Sequence, residues 1–230
     1  MNAARGLATL GRAALAFAFP QRCAGCGVEA SPGPLCDGCV RRIPRLSFEL
    51  CVRCLAAERE PIGCVLHRGY GVWAAWLYDE RAQILAHALK YGGRPGLARS
   101  LAIPLVEALP PGVRPDVVVD VPLHAARRRE RGYNQAAVLA DAVAERLGAP
   151  RLLGALVRPR ATREQARLGS RERRANLAGA VRVACPDVLE ERKVLLVDDV
   201  VTSGATLEAC LSALAGCGAR ATAAALAWAQ

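Results

Sequence analysis

Several residue types and patterns are scarce in this sequence, and each shortage narrows what the protein can be. Lysine is nearly absent, since 29 of the 31 basic residues are arginine and only Lys90 and Lys193 are lysine. Aromatic residues make up 4% of the chain, which argues against tight binding of nucleic-acid bases by stacking. No run of about 18 apolar residues occurs, so no membrane-spanning helix and no membrane partner are predicted.

Two catalytic signatures are also missing, together with every sign of a repetitive chain. The sequence has neither the P-loop pattern G-x4-G-K-[ST] nor the metalloprotease pattern H-E-x-x-H. It contains no internal repeat and no low-complexity segment. A chain of 230 residues that is 53% hydrophobic can bury a substantial core, with room for one large domain and a small module.

The N-terminal region holds a short apolar run, residues 13–19, preceded by Arg5 and Arg12. No small-x-small cleavage site follows it, because Pro20 and Gln21 come next. We therefore expect a short amphipathic helix packed on the following domain rather than a signal peptide. On this basis we expect a cytoplasmic protein.

Positive charge is concentrated in one part of the chain. The net charge is +10, and residues 124–176 hold 13 arginines against 5 acidic residues, a net of +8. A coding bias explains the preference for arginine over lysine as well as a functional requirement does. It does not explain why the arginines are clustered in one part of the chain. Such a stretch indicates a polyanionic partner: phosphates, a nucleic acid, or both.

Seven of the ten cysteines lie between residues 23 and 64, in closely spaced pairs. Three pairs have C-x2-C spacing and a fourth ends in histidine; the candidate ligands are Cys23, Cys26, Cys36, Cys39, Cys51, Cys54, Cys64 and His67. Two such turns can close one tetrahedral zinc site, with Zn–S distances near ~2.3 Å. The alternative is a disulfide framework in a secreted protein, which fits poorly with the absence of a convincing signal peptide.

The spacing predicts up to two structural zinc ions, because a closed site of four protein ligands has no open position for catalysis. Ligand pairing in sequence order and interleaved pairing both remain open. The isolated Cys185, Cys210 and Cys217 are expected to fill the core. We expect residues 1–68 to form the N-terminal helix and the cysteine-rich module, and residues 69–230 to form the second domain.

From about residue 70, short apolar strands alternate with amphipathic helices. Strands are predicted near residues 71–80, 116–122, 152–157, 180–183, 194–197 and 221–228, and helices near residues 81–93, 98–108, 134–147 and 207–214. This alternation predicts an α/β fold with a doubly wound parallel sheet. In such folds, ligands bind beyond the carboxyl ends of the strands.

The segment VLLVDDVVTSGAT, residues 194–206, sets two carboxylates at the end of a buried strand. The loop after them leads into a helix N-terminus, where free N–H groups and the helix dipole favour an anion. The residues expected to hold a phosphate there are Val201, Thr202, Ser203, Gly204, Ala205 and Thr206. Asp198 and Asp199 would accept hydrogen bonds from sugar hydroxyls, so a sugar phosphate fits both halves of the motif.

Two simpler structures also place acids after a strand, and each fits this chain less well. A response-regulator receiver domain has acids in that position, but its fold needs roughly a hundred further residues and only 31 follow Asp199. A strand end with solvated carboxylates would not explain the Thr-, Ser- and Gly-containing loop.

The segment 194–206 resembles the phosphoribosyl-pyrophosphate (PRPP) loop of type I phosphoribosyltransferases, although Ala205 stands where most of that family has glycine. The segments LKYGG (89–93), VPLHAARRRERGYNQAAVLA (121–140) and TREQARLGSRERRANLAGA (162–180) resemble the ComF family of bacterial competence proteins. This resemblance implies a zinc ribbon followed by a phosphoribosyltransferase-like domain. It also implies a cytoplasmic role with incoming single-stranded DNA in natural transformation.

If the domain is an active transferase, the resemblance implies displacement of pyrophosphate at the ribose anomeric carbon, with Mg²⁺ bound alongside PRPP. Asp198 and Asp199 would then be the catalytic pair. Pyrophosphate or DNA would contact Pro122, Leu123, His124, Arg127, Arg128, Arg131, Arg163, Arg167 and Arg171, the last three within a mobile cover. Tyr133, Asn134 and Gln135 could contact a ligand or cap the following helix.

Two non-catalytic alternatives remain open. The pocket could sense PRPP or a nucleotide while the basic face binds single-stranded DNA. The protein could also be an adaptor that docks a helicase through its zinc ribbon, although this leaves Asp198 and Asp199 unexplained.

Overall fold

The structure is a computed structural model that describes residues 22–29, 35–91, 96–123, 125–158 and 181–230. The predicted N-terminal helix and four of the predicted binding residues, His124, Arg163, Arg167 and Arg171, lie outside these described residues, as does the side chain of Arg127. None of the helices within them has the length and apolar character needed to span a membrane.

Short strands and helices alternate along the described chain, as the sequence predicts. In chain order, the elements are α1 (Asp37–Arg41), β1 (Glu49–Cys51), α2 (Val52–Ala56), β2 (Gly71–Leu77), α3 (Glu80–Tyr91), α4 (Leu97–Glu107), β3 (Val117–Asp120), α5 (Ala125–Arg131), α6 (Gln135–Leu147), β4 (Leu156–Val157), β5 (Arg182–Val183), α7 (Pro186–Leu189), β6 (Lys193–Val201), α8 (Ala205–Gly216) and β7 (Arg220–Trp228).

The centre of the molecule is a five-stranded sheet in the order β1-β2-β7-β6-β3. Strands β2, β7, β6 and β3 are mutually parallel, and β1 joins the edge antiparallel to β2. The runs Val194–Val197 in β6 and Ala223–Trp228 in β7 are continuously apolar and buried, as expected for strands covered on both faces. Strand β1 comes from the cysteine-rich region, which therefore supplies one edge of the sheet.

Helices cover both faces of this sheet. Alternate side chains of each strand point to opposite faces, so Leu195 and Val197 belong to one cluster and Val194 and Leu196 to the other. The first cluster includes the apolar sides of α3, α4 and α6, and the second includes those of α2 and α8. The predicted doubly wound α/β fold is confirmed.

One predicted strand is shorter than expected and lies outside the main sheet. The sequence predicts a strand at residues 152–157, but only Leu156–Val157 is extended, and it pairs antiparallel with Arg182–Val183. Arg151 instead forms a single parallel bridge with Val118 at the edge of the main sheet. The apolar content of residues 152–157 does not by itself distinguish a strand of the main sheet from a strand of a small separate sheet.

Candidate functional site

The two neighbouring carboxylates lie near the carboxyl end of β6. The strand continues through both of them to Val201, so their side chains alternate between the two faces of the sheet. Asp199 therefore points to the face covered by α3, and Asp198 to the face covered by α8. The two side chains therefore meet different surroundings, although their carboxylates stay close enough to interact.

Asp199 is paired with a cation from helix α3. Lys90 Nζ lies 2.9 Å from Asp199 Oδ2, and both side chains are largely removed from solvent, at 22% and 7% exposure. Lys90 belongs to the LKYGG segment, more than a hundred residues earlier in the chain. This ion pair joins the end of α3 to the end of β6.

Asp198 forms no ion pair among the described residues, and its surroundings disfavour its charge. Burial, together with the negative charge of Asp199, raises the pKa of the Asp198 carboxyl well above its usual range, although Lys90 opposes the shift. Its Oδ1 accepts a hydrogen bond from the backbone N–H of Asp199 at 2.8 Å. A hydroxyl donor or a cation beside Asp198 would therefore stabilise its charged carboxylate.

The loop after β6, residues 201–206, is called the phosphate loop below. It turns directly into α8 through Gly204, whose φ of +71° lies in the left-handed region that favours glycine. Ala205 is the first residue of α8 and has no positive φ, so its methyl group is compatible with the turn. Thr202 is exposed, and Ser203 and Thr206 are partly exposed.

The first-turn N–H groups of α8 have no intrahelical acceptor, so this end of the helix offers donors to an anion. With hydroxyl side chains around a buried glycine, the phosphate loop has the composition of an anion cradle. It begins within three residues of Asp198.

A second loop follows β3 beside it. Val121 N–H donates to Val197 O at 3.0 Å, which ties this loop to β6 just before the carboxylates. Pro122 is buried and Leu123 is half-buried, so of these two predicted contact residues only Leu123 offers appreciable side-chain surface.

Asp120, the last residue of β3, is fully engaged by the protein itself. It forms an ion pair with Arg151 and accepts a hydrogen bond from Asn134 Nδ2 at 2.7 Å. Asn134 also caps α6, because its Oδ1 accepts from Ala136 N–H. The sequence left two roles open for Asn134, contact with a ligand and capping of the helix, and the structure shows the helix cap.

The end of α3 also contacts the segment that joins α5 to α6. The hydroxyl of Tyr133 donates to Leu89 O, and Arg131 Nη2 lies 3.1 Å from the hydroxyl of Tyr91. Arg131 is thus occupied within the protein, whereas Arg128 is exposed and forms no ion pair among the described residues. Segments 89–91, 120–121, 131–134 and 197–199 are brought together at one edge of the sheet.

Three residues at this edge were not singled out by sequence reasoning: Lys90, Asp120 and Arg151. For Lys90 a signal existed, because a chain that uses arginine at 29 of 31 basic positions retains lysine there. Asp120 and Arg151 carried no comparable signal, since an acid after a strand and an arginine in a loop are ordinary.

The predicted metal ligands form two separate groups, each assembled in sequence order. The first cysteine cluster contains Cys23, Cys26, Cys36 and Cys39, and the second cysteine cluster contains Cys51, Cys54, Cys64 and His67. Within each group, the four donor atoms lie within 4.8 Å of one another. None of the ten cysteines, all of which lie in the described residues, forms a disulfide.

The spacing of these donor atoms fits a tetrahedral ion. In the second cluster His67 Nδ1 lies 3.4, 3.5 and 3.4 Å from the sulfur atoms of Cys51, Cys54 and Cys64. In the first cluster, Sγ–Sγ separations include 3.5 and 3.6 Å. A tetrahedron with ligand distances near 2.0–2.3 Å has edges of about 3.3–3.8 Å, so either cluster could hold a metal such as zinc.

The surroundings of the thiols shift their pKa values in opposite directions. Backbone N–H groups, first that of His67, lower the pKa of Cys64 to about 6. Burial and neighbouring thiols raise the pKa of Cys54 to about 12. Thiolates packed this closely repel one another, and a bound cation removes that repulsion.

The doubly wound sheet, the acidic pair and the phosphate loop define a protein of the type I phosphoribosyltransferase fold, with a cysteine-rich N-terminal region. Comparison with known sequences agrees: residues 133–230 match the family described as "Phosphoribosyl transferase domain". The chain is 31% identical over 205 residues to competence protein F of Haemophilus influenzae, covering 82% of this chain and 88% of that protein. The chain belongs to the competence protein F family.

Two further known proteins are similar to this chain, one in sequence and one in structure. DNA utilization protein YhgH of Salmonella typhimurium is 32% identical over 186 residues, covering 75% of this chain and 80% of that protein. A solved structure of glutamine PRPP amidotransferase from B. subtilis superposes with a TM-score of 0.41 at 20% identity, covering 60% of this chain and 29% of that one.

Proposed function

We propose that the protein binds PRPP or a related nucleotide at the carboxyl edge of β6. The observation that carries this proposal is the direct passage from Asp198 through the phosphate loop into the N-terminus of α8, with left-handed Gly204 at the turn. A phosphate would accept hydrogen bonds from the loop N–H and hydroxyl groups. The ribose hydroxyls would donate to Asp198 and Asp199.

The remaining parts of the ligand are assigned by proximity and charge. Pyrophosphate would lie against the loop after β3, with Leu123 and the exposed Arg128 nearby; His124, Arg127, Arg163, Arg167 and Arg171 stay predictions for this role. Mg²⁺ bound with PRPP would supply charge neutralisation between phosphate oxygens, and it uses few protein ligands. Lys90 holds Asp199 in place and limits the negative charge that a phosphorylated ligand meets.

Calorimetry with PRPP and Mg²⁺ tests the proposal, using wild-type protein and Asp198→Asn. Loss of a hydrogen bond to a charged acceptor costs about 1.5–3 kcal/mol, so the variant should bind roughly ten- to a hundredfold more weakly. Asp187→Asn is the matched control, because Asp187 is exposed on α7 and its substitution by asparagine removes the same charge. Equal affinity of Asp198→Asn and wild type would contradict the assignment of the site.

We further propose that the basic segment binds single-stranded DNA, in keeping with a role in natural transformation. The supporting observation is the pair of exposed arginines on α5, Arg128 and Arg129, which form no ion pair among the described residues and adjoin the site. The names of the relatives, competence protein F and DNA utilization protein, point to the same partner.

The DNA proposal is tested by fluorescence anisotropy with a single-stranded oligonucleotide over a range of salt concentrations. The double variant Arg128→Ala, Arg129→Ala should bind more weakly, and its salt dependence should flatten by roughly 0.7 units of slope per lost phosphate contact. Arg192→Ala, Arg220→Ala is the control, because it removes two exposed arginines outside residues 124–176. The same slope in all three proteins would refute contact between α5 and the DNA.

A further inference from the structure

The phosphate loop rests directly on helix α2 of the cysteine-rich region. A methyl group placed on Gly204 would meet Val52 O at 2.9 Å and Leu55 Cβ at 3.1 Å. Contact this close leaves no room between the two segments. The position of α2 therefore determines where the backbone of Gly204 can lie.

Helix α2 also carries half of the second cysteine cluster. Cys51 precedes the helix, Cys54 lies within it, and Cys64 and His67 belong to the following loop. A helix of five residues is far below the length that is stable by itself. Tertiary contacts must hold it, and the four donor atoms of the second cysteine cluster meet at its side.

Polar contacts extend the connection along α8. Nε of Arg53, in α2, lies 3.6 Å from Oε1 of Glu208, in α8. The guanidinium of Arg53 also stacks on the ring of Tyr70, with its Cζ 3.6 Å from the ring centroid. The hydroxyl of Tyr70 is 3.2 Å from Ser212 Oγ. Val52 N–H donates to Tyr70 O, so the loop that carries Cys64 and His67 is joined to both helices.

We propose that a metal ion in the second cysteine cluster positions the phosphate loop through α2, so that metal and phosphorylated ligand bind cooperatively. This inference rests on the proposed binding of PRPP at the phosphate loop. The metal fixes Cys51 and Cys54 at the ends of the first turn of α2, and α2 supports the backbone at Gly204. Coupling between two sites is reciprocal, so the ligand must also strengthen retention of the metal.

The first experiment measures the release of zinc to a chelator with and without saturating PRPP and Mg²⁺. Cys26→Ser retains only the second cysteine cluster, and PRPP should raise its zinc affinity, measured at equilibrium with the chelator, by about fivefold or more, within the usual range of coupling between sites. Cys64→Ser retains only the first cysteine cluster, and PRPP should leave its release unchanged. PRPP that binds without reducing the amount of zinc released from the second cluster at equilibrium would overturn the proposal.

The second experiment tests the contact without any ligand. Gly204→Ala forces a methyl group against Val52 and strains a left-handed residue, so it should speed zinc release from the second cysteine cluster about fivefold or more. Gly216→Ala is the matched control at the other end of α8, because nothing lies within 4 Å of its added methyl group. Unchanged release in Gly204→Ala would refute the coupling.

The two experiments separate this inference from the proposed function. If wild-type protein fails to bind PRPP while Gly204→Ala still speeds zinc release, the ligand assignment is wrong and the mechanical coupling stands. If PRPP binds and neither experiment changes zinc release, the site is correctly assigned and the coupling is wrong. Should Gly204→Ala fail to fold, the effect of PRPP on Cys26→Ser decides the inference.

Discussion

At the scale of single residues, the adjacent carboxylates of β6 occupy different environments. Asp199 is buried against Lys90, whereas Asp198 has no ion-pair partner among the described residues. From the sequence, removing either charge would relieve the same repulsion. In the structure the two substitutions differ, because one of them also breaks an ion pair.

Asp198→Asn should make the folded protein more stable at neutral pH. The pKa of Asp198 is higher in the folded protein than in the unfolded chain. The wild-type carboxyl therefore destabilises the fold progressively as pH rises from the unfolded pKa, at ~4, through the raised folded pKa, and it has no such effect below the unfolded pKa. Asparagine does not titrate. Urea unfolding should therefore show a gain in unfolding free energy over wild type at pH 7 that disappears near pH 4.

The pH dependence distinguishes this cause from a packing effect. A gain of equal size at pH 4 and pH 7 would mean that ionisation of Asp198 does not destabilise the fold. Asp187→Asn, at an exposed position, should match wild type at both pH values.

Lys90→Met should destabilise the protein, because it leaves the buried carboxylate of Asp199 unpaired. Breaking a buried pair costs about 3–5 kcal/mol, and the partial exposure of Lys90 reduces the expected loss to about 2–3 kcal/mol. Lys193→Met is a matched control, since this other lysine is exposed and forms no ion pair among the described residues. Equal unfolding free energies of the two variants would show that the Lys90–Asp199 pair contributes nothing.

At the scale of secondary-structure elements, helix α6 depends on its capping residue. Asn134 accepts from Ala136 N–H and donates to Asp120 Oδ2 and Val121 O. One side chain thus begins the helix and connects it to the end of β3. Gly148, at φ +63°, ends the helix in the left-handed conformation that suits glycine.

Asn134→Ala and Asn134→Asp should separate these two tasks. Alanine removes the cap and the link to β3, and should cost about 1–2 kcal/mol or more of unfolding free energy. Aspartate preserves a good cap but sets a carboxylate against Asp120, so it should also destabilise the protein. A fully stable Asn134→Asp variant would mean that only capping matters at this position.

At the scale of the whole molecule, the two cysteine clusters lie in the part of the chain that has little regular structure. We expect about two zinc ions per chain in metal analysis of anaerobically purified protein, because each group offers four donor atoms within 4.8 Å. Removal by a chelator should lower the melting temperature, since metal binding adds to folding stability. Disulfides among these residues and no zinc would contradict the expectation.

Much of this arrangement follows from local patterns in the sequence. The apolar runs around Val118 and Leu195 predict buried parallel strands because they lack the alternation of a half-exposed strand. The C-x2-C spacing predicts the metal donors, and the order Asp198, Asp199, Gly204 predicts a loop that ends in a helix N-terminus. In each case the residues that determine the feature are neighbours in the chain.

The features that the sequence left undetermined depend on contacts between distant segments. The sequence by itself determined the α/β order, the candidate donors and the acidic pair, since hydrophobic period, knuckle spacing and turn chemistry are local. Only the tertiary structure decided that Lys90 pairs with Asp199, that Asp120 is held by Arg151, and that α2 supports Gly204. The physical reason is that ion pairing and close packing depend on the path of the chain through space, which brings together residues 31 positions apart in one case and more than a hundred in the other two.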